Sequence, residues 1–159
     1  MSLSPGAQIW LCRSKHGAEA VAKDPQACYE ACIEYFQWCE QNPVLEERVG
    51  FSKGRAVRAI VPHPRAFTLW GLSIFLGIST DTWFIWRKER ESHRAVISWA
   101  EAAMKEQKFT AAASGLMNAN LIAREMGLAD KQIHEGVTPS MVIKGPDGEV
   151  IEQPPIQGE

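Results

Sequence analysis

The run from Ala66 to Trp86 carries one formal charge, Asp81, and limits the possible folds more than any other stretch. It is long enough to cross a bilayer as a single helix. Gly77-Ile78-Ser79-Thr80-Asp81-Thr82 interrupts its middle, however, and an aspartate at mid-bilayer is costly. Two short helices joined by a turn fit both facts, and no membrane association is expected. Thr68 is placed to cap the first helix, which runs to Leu76. Gly77 supplies the turn, where a positive backbone angle suits glycine. Ser79 or Thr80 caps the second helix, which continues to about Arg90. Leu69, Leu72, Ile74, Leu76, Ile78, Trp83 and Trp86 supply the apolar contacts, and Ser73 is small where the helices would cross.

This pattern suits a helix-turn-helix, in which the second helix needs short polar residues near its start and cations further along. Thr80, Asp81 and Thr82 stand at the start, and Arg87, Lys88 and Arg90 follow. Polar residues can meet base edges, and cations can meet phosphates. Arg55 and Arg58, on a neighbouring hairpin, are further phosphate-contact candidates. A plain helical hairpin with a solvated basic end remains the alternative. Trp83 and Trp86 read as core of this unit rather than as base-stacking platforms, and Trp70 is assigned to the same unit.

Around this unit the fold reads as mainly α with small β-hairpins. Residues 1–23 are expected to be irregular. Asp24-Pro25 is an N-cap followed by proline at the first helical position. The helix carries an apolar stripe through Cys28, Cys32 and Cys39, and Asn42-Pro43 stops it. Residues 45–61 read as a hairpin turning at Ser52-Lys53-Gly54. A third helix capped by Ser92 and a fourth from Phe109 to Met126 form an antiparallel helical hairpin, closed by Gly127. Ala111-Ala112-Ala113-Ser114-Gly115 offers a small-residue surface for close helix approach. Residues 137–151 read as a second hairpin around Lys144-Gly145-Pro146-Asp147-Gly148, and the last seven residues as a flexible tail. One isolated hairpin is marginal in water, so this one requires neighbours or a surface.

The whole-chain charge is −2, which argues against a generally cationic coat for nucleic acid. Its distribution says more. Residues 44–94 hold nine basic and five acidic groups, a net of +4, while residues 128–159 are −4. The helical spacing of Cys28, Cys32 and Cys39 marks small buried hydrophobes rather than a disulfide framework. A zinc site drawn from Cys12, His16, Cys28 and Cys32 lacks the short C-x2-C knuckle. No charged segment followed by an apolar one opens the chain, so no signal peptide is expected and a reducing cytoplasm is the simplest compartment. Phosphate-loop, dinucleotide, zinc-protease and nucleophile-elbow motifs are absent from the sequence, and His16, His63, His93 and His134 show no ligand spacing. The expectation is a non-enzyme with no cofactor and no metal.

Five segments carry a family resemblance. They are Ala31-Cys32-Ile33-Glu34-Tyr35-Phe36-Gln37-Trp38 with Asn42-Pro43, Arg65-Ala66-Phe67-Thr68-Leu69-Trp70-Gly71-Leu72, Thr82-Trp83, Gln107-Lys108-Phe109-Thr110-Ala111-Ala112-Ala113, and the stretch from Leu116 to Leu128. Over residues 8–128 this order resembles the small terminase subunit (DNA-packaging protein) of short-tailed bacteriophages. The resemblance implies a ring-shaped homo-oligomer, often of about nine subunits. It implies binding of double-stranded viral DNA at the packaging-initiation site, and recruitment and regulation of the large terminase ATPase/nuclease, in the host cytoplasm. The expected organisation is a DNA-binding part at 1–94, a helical oligomerisation core at 95–128, a β-hairpin at 129–152 joining an oligomeric barrel, and a tail at 153–159. Some relatives carry a basic C-terminal tail; here the last 32 residues are −4, which puts DNA contact on the helix-turn-helix and its flanking arginines. The residues alone also fit a helix-turn-helix transcriptional regulator.

Overall fold

Alanines at positions 18, 20 and 22, strong helix formers, give the expected irregular arm a helix of its own. The computed structural model describes residues 8–128, 143–144 and 150–151. Ile9–Leu11 forms a 3-10 turn and Gly17–Lys23 forms α1. The Asp24 side chain accepts a hydrogen bond from the Gln26 amide, and Pro25 opens α2 (Pro25–Gln41). At the other end of α2, the Asn42 side chain donates to the Trp38 carbonyl.

Next comes the expected hairpin, β1 (Val44–Ser52) paired antiparallel with β2 (Arg55–His63) from Val44↔His63 to Ser52↔Arg55. Lys53 and Gly54 form its two-residue turn, both with positive φ, as a type I′ turn requires. α3 (Leu69–Leu76) and α4 (Thr80–Glu89) follow, then α5 (Glu91–Ala113) and α6 (Ala119–Glu125). Two boundaries differ from expectation. α5 starts at Glu91 without a side-chain cap, so Ser92 lies inside the helix. The helix also runs on through Phe109 to Ala113, because the alanine run favours continuation. Gly115, at φ 72°, then turns the chain, and Asn118 caps α6 by accepting from the Leu121 amide. The buried Lys108 ammonium bonds the Glu125 carboxylate and ties α6 to α5.

The chain divides into units 1–128 and 129–159. In the first, α2 buries Cys28, Ala31, Cys32, Tyr35, Phe36 and Cys39 against Leu72, Leu76, Trp83, Ile97, Ala100 and Met104. All three of those cysteines are free and buried, as their spacing implies. Phe36 stacks on Phe67 with centroids 4.6 Å apart. Tyr35 accepts from the Thr68 amide and donates to the Thr68 carbonyl, so α2 fixes the start of α3. Burial pushes the Tyr35 hydroxyl up to about 12, which keeps it a neutral donor. In the second unit, Ile143–Lys144 (β3) pairs antiparallel with Val150–Ile151 (β4). Of the expected hairpin, residues 137–142 of the strand 137–143, residues 145–148 of the turn 144–148 and residue 149 of the return strand lie outside the described residues, as do His134 and the tail at 153–159. No helix among the described residues is long and apolar enough to cross a membrane.

Glu34 on α2 holds the N-terminal arm. Burial raises its carboxyl, but bonds from the Ser14 hydroxyl (2.9 Å) and the Lys15 amide (3.2 Å), with the Lys15 ammonium at 3.1 Å, outweigh this and hold it below its ordinary 4.5. His16 lies 3.5 Å from the same carboxylate, close but not aligned for a hydrogen bond. A carboxyl lowered in the folded state stabilises the fold above its unfolded value. That contribution is lost as pH falls through the folded value. Melting curves of the wild type and Glu34→Gln should therefore separate at neutral pH, the wild type being more stable, and converge as pH drops below 4.5.

Candidate nucleic-acid interface

Local chemistry builds the α3–turn–α4 unit. The Thr68 hydroxyl accepts from the Gly71 amide and starts α3. A side chain at Gly71 would collide with the Tyr35 hydroxyl, so glycine permits the close approach of α2 and α3. Gly77, at φ 72°, ends α3 while the Ile78 amide bonds back to the Ser73 carbonyl at 3.0 Å, which satisfies the last carbonyls of the helix. Ser73 is buried at the crossing. The Ser79 hydroxyl caps α4, accepting from the Thr82 amide and lying 2.9 Å from the Thr82 hydroxyl.

The inner face of α4 is set by Trp83 and Trp86, both buried. Trp83 Nε1–H donates to the Glu101 carboxylate at 3.1 Å. Trp86 packs its ring 5.5 Å from that of the buried His93, whose Nε2 lies 3.0 Å from the Val21 carbonyl. The two tryptophans orient α4 against α5, and His93 carries the contact on to α1.

Turned outward are Asp81 and Lys88, two helical turns apart on one line, with Phe84 and Ile85 between them. Phe84 is 44% and Ile85 51% exposed. The structure separates the candidate residues by what they already hold. Thr80 and Asp81 stand in the first turn of α4, while the Thr82 hydroxyl is occupied with the Ser79 cap. Arg87 lies 3.3 Å from both Glu101 oxygens and 5.2 Å over the Phe84 ring. Arg90 bonds the Ala22 carbonyl and covers the Trp86 ring. Lys88 has no ion-pair partner among the described residues.

Arg55 and Arg58 lie on β2, a separate element. Arg58 pairs with Glu47 at 3.1 Å, across the strands. Arg48 pairs with Glu46 at 3.0 Å, and His63 reaches the same carboxylate at 2.6 Å. The hydrogen bond with His63, then Arg48, holds the Glu46 carboxyl below its usual range. Lys53 and Arg55 at the tip have no acidic partner among the described residues. The hairpin base is clamped from α5: the Gln107 side chain donates to the Arg65 carbonyl and accepts from the Phe67 amide. Arg65 itself donates to the Asn42 carbonyl and stacks over Trp38.

The sequence reading missed the outward Phe84 and Ile85. Their signal was available, since Trp83 and Trp86 alone complete the inward stripe and leave the adjacent apolar pair facing outward. Trp70, assigned there to the compact unit, is 70% exposed, because the buried face of α3 is taken by Leu72, Phe75 and Leu76.

The profile of the family described as DNA-packaging protein gp3 matches residues 17–133. The terminase small subunit of Salmonella phage P22 is 37% identical over 139 residues, which cover 87% of this chain and 85% of that protein. This chain belongs to the viral DNA-packaging proteins of the small terminase subunit family.

Proposed function

We propose that the chain assembles as a closed ring of about nine copies, binds the packaging-initiation site of its viral genome, and brings the large terminase subunit to it. The observation that carries this reading is the similarity to the P22 small subunit along nearly the full length of both chains. The ring acts without catalysis of its own, in the host cytoplasm where the genome is packaged. Residues 1–94 supply the DNA-facing part through Thr80, Asp81, Lys88 and the hairpin cations, and residues 95–128 supply the contacts between copies. The 129–152 hairpins join into a barrel, which gives each marginal hairpin its neighbours. The acidic C-terminal end, −4 over residues 128–159, is left to meet the large subunit. Several copies, each touching DNA weakly, gain avidity from being linked.

Native mass measurement tests the assembly, and salt-titrated binding to fragments of the viral genome tests its target. A ring that prefers one genome fragment is the expected result. A two-fold dimer on a palindromic site would instead identify a transcriptional regulator.

A further inference from the structure

The β1–β2 ribbon exposes nearly all of both faces, and its strands pack chiefly on each other. An isolated two-stranded ribbon is marginal in water, so its length calls for a partner. Nine-residue strands extend about 30 Å at roughly 3.4 Å per residue. Phe51, near the end of this reach, is 82% exposed. Its cross-strand neighbour is Ala56, too small to shelter the ring.

Charge along the ribbon is divided in the same direction. Near the base, Glu46 pairs with Arg48 and Glu47 with Arg58, and His63 hydrogen-bonds Glu46. At the tip, Lys53 and Arg55 are unpaired among the described residues. Lys53 also adopts φ 52°, a conformation that Asn or Gly would take more readily in such a turn. The tip thus combines uncompensated positive charge with an unsheltered aromatic ring. That combination complements a polyanion with stackable bases. Two identical tips would oppose like charges, and a neighbouring copy that seated the tip on another of its surfaces is the outcome that the native-mass measurement below reads.

We propose that the ribbon is a DNA-bending arm. Its tip enters the minor groove of duplex DNA, Lys53 and Arg55 meet phosphates, and the Phe51 ring wedges between two base pairs and kinks the duplex. Apolar side chains inserted into the minor groove act in this way, exchanging base stacking for a bend that wraps more protein surface. The proposal rests on the reading that this chain engages duplex DNA, and it adds what the chain does to that DNA.

The test uses the full-length assembly and two 30-base-pair duplexes of one sequence, one intact and one with a central nick that makes kinking easier. Competition binding should show the wild type preferring the nicked duplex about fivefold or more, and end-labelled energy transfer should show the ends drawing together. Phe51→Ala should bring the preference close to one and remove the end approach, with affinity for the intact duplex changed less than about threefold. Phe51→Leu should keep most of the bend, since leucine also serves as a wedge. Lys53→Ala/Arg55→Ala should retain the preference and lower the salt slope by about two per engaged hairpin. The side chain at position 51 is exposed, so Phe51→Ala leaves the fold intact, which a melting curve verifies. A nick preference that persists in Phe51→Ala, or that is missing from a DNA-binding wild type, overturns the arm but leaves DNA recognition standing. A change of native mass in Phe51→Ala with bending retained assigns the tip to another copy and also overturns the proposal. Failure of the wild type to bind either duplex at low salt overturns both readings.

Discussion

Trp83→Ala is expected to destabilise the folded chain by about 3–5 kcal/mol, the usual cost of truncating a fully buried tryptophan. The residue has no solvent exposure and joins the cluster formed by α2, α3 and α5. Three contributions add up in this substitution. Less apolar surface is buried on folding, the vacated volume leaves a cavity in the core cluster, and Glu101 loses its indole donor. Trp83→Phe separates them: it retains most of the ring and removes the N–H, so its cost should be near 1 kcal/mol, because Glu101 keeps Arg87 and some solvent. Urea denaturation at one fixed protein concentration measures both, fixed because association between copies adds to apparent stability. A cost under about 1 kcal/mol for Trp83→Ala would mean that α4 is not anchored through this side chain. Since Trp83 orients the outward line of Asp81, Phe84, Ile85 and Lys88, the alanine variant should also lose DNA affinity, in proportion to its unfolded fraction.

Signals that act over a few residues were readable in advance. Asp24, Thr68, Gly77 and Ser79 each form a contact within four residues of themselves, so residue type and spacing were enough to place α2, the turn and the start of α4. The apolar stripe of α2 was likewise readable, because burial at helical spacing repeats locally. What the sequence could not display were bonds across long separations. Arg87 finds Glu101 fourteen residues on, and Arg90 finds the Ala22 carbonyl sixty-eight residues back. Both arginines therefore read as free cations on the sequence and emerge as partly committed to the fold. The α5 boundary was misplaced for a different reason. Phe109 resembled a helix start, but nothing before it breaks the backbone, and the first residue that does is Gly115. The folding of α1 was missed because a helix of only seven residues is too short to hold on its alanines alone and is completed by docking on α2.

This difference between committed and free cations leads to the second prediction. Lys88→Ala should lower the slope of log affinity against log salt by about one for each engaged copy, with no measurable change in stability. Between 50 and 200 mM salt, one phosphate contact accounts for a roughly 3.5-fold change in affinity, and the factor compounds over the copies that touch one duplex. Arg87→Ala should behave otherwise. Its guanidinium is half exposed, lies against both Glu101 oxygens, and must give up part of that pair to reach a phosphate. Removing it should change the salt slope by clearly less than Lys88→Ala does, and should cost the fold no more than about 1 kcal/mol, as for other solvent-screened pairs. Binding isotherms at four or five salt concentrations on one viral DNA fragment, for both variants and the wild type, decide the matter. If Arg87→Ala flattens the slope and Lys88→Ala leaves it unchanged, the outward line of α4 is not the surface that meets the phosphates, and the DNA face lies on the Arg87 side of the helix.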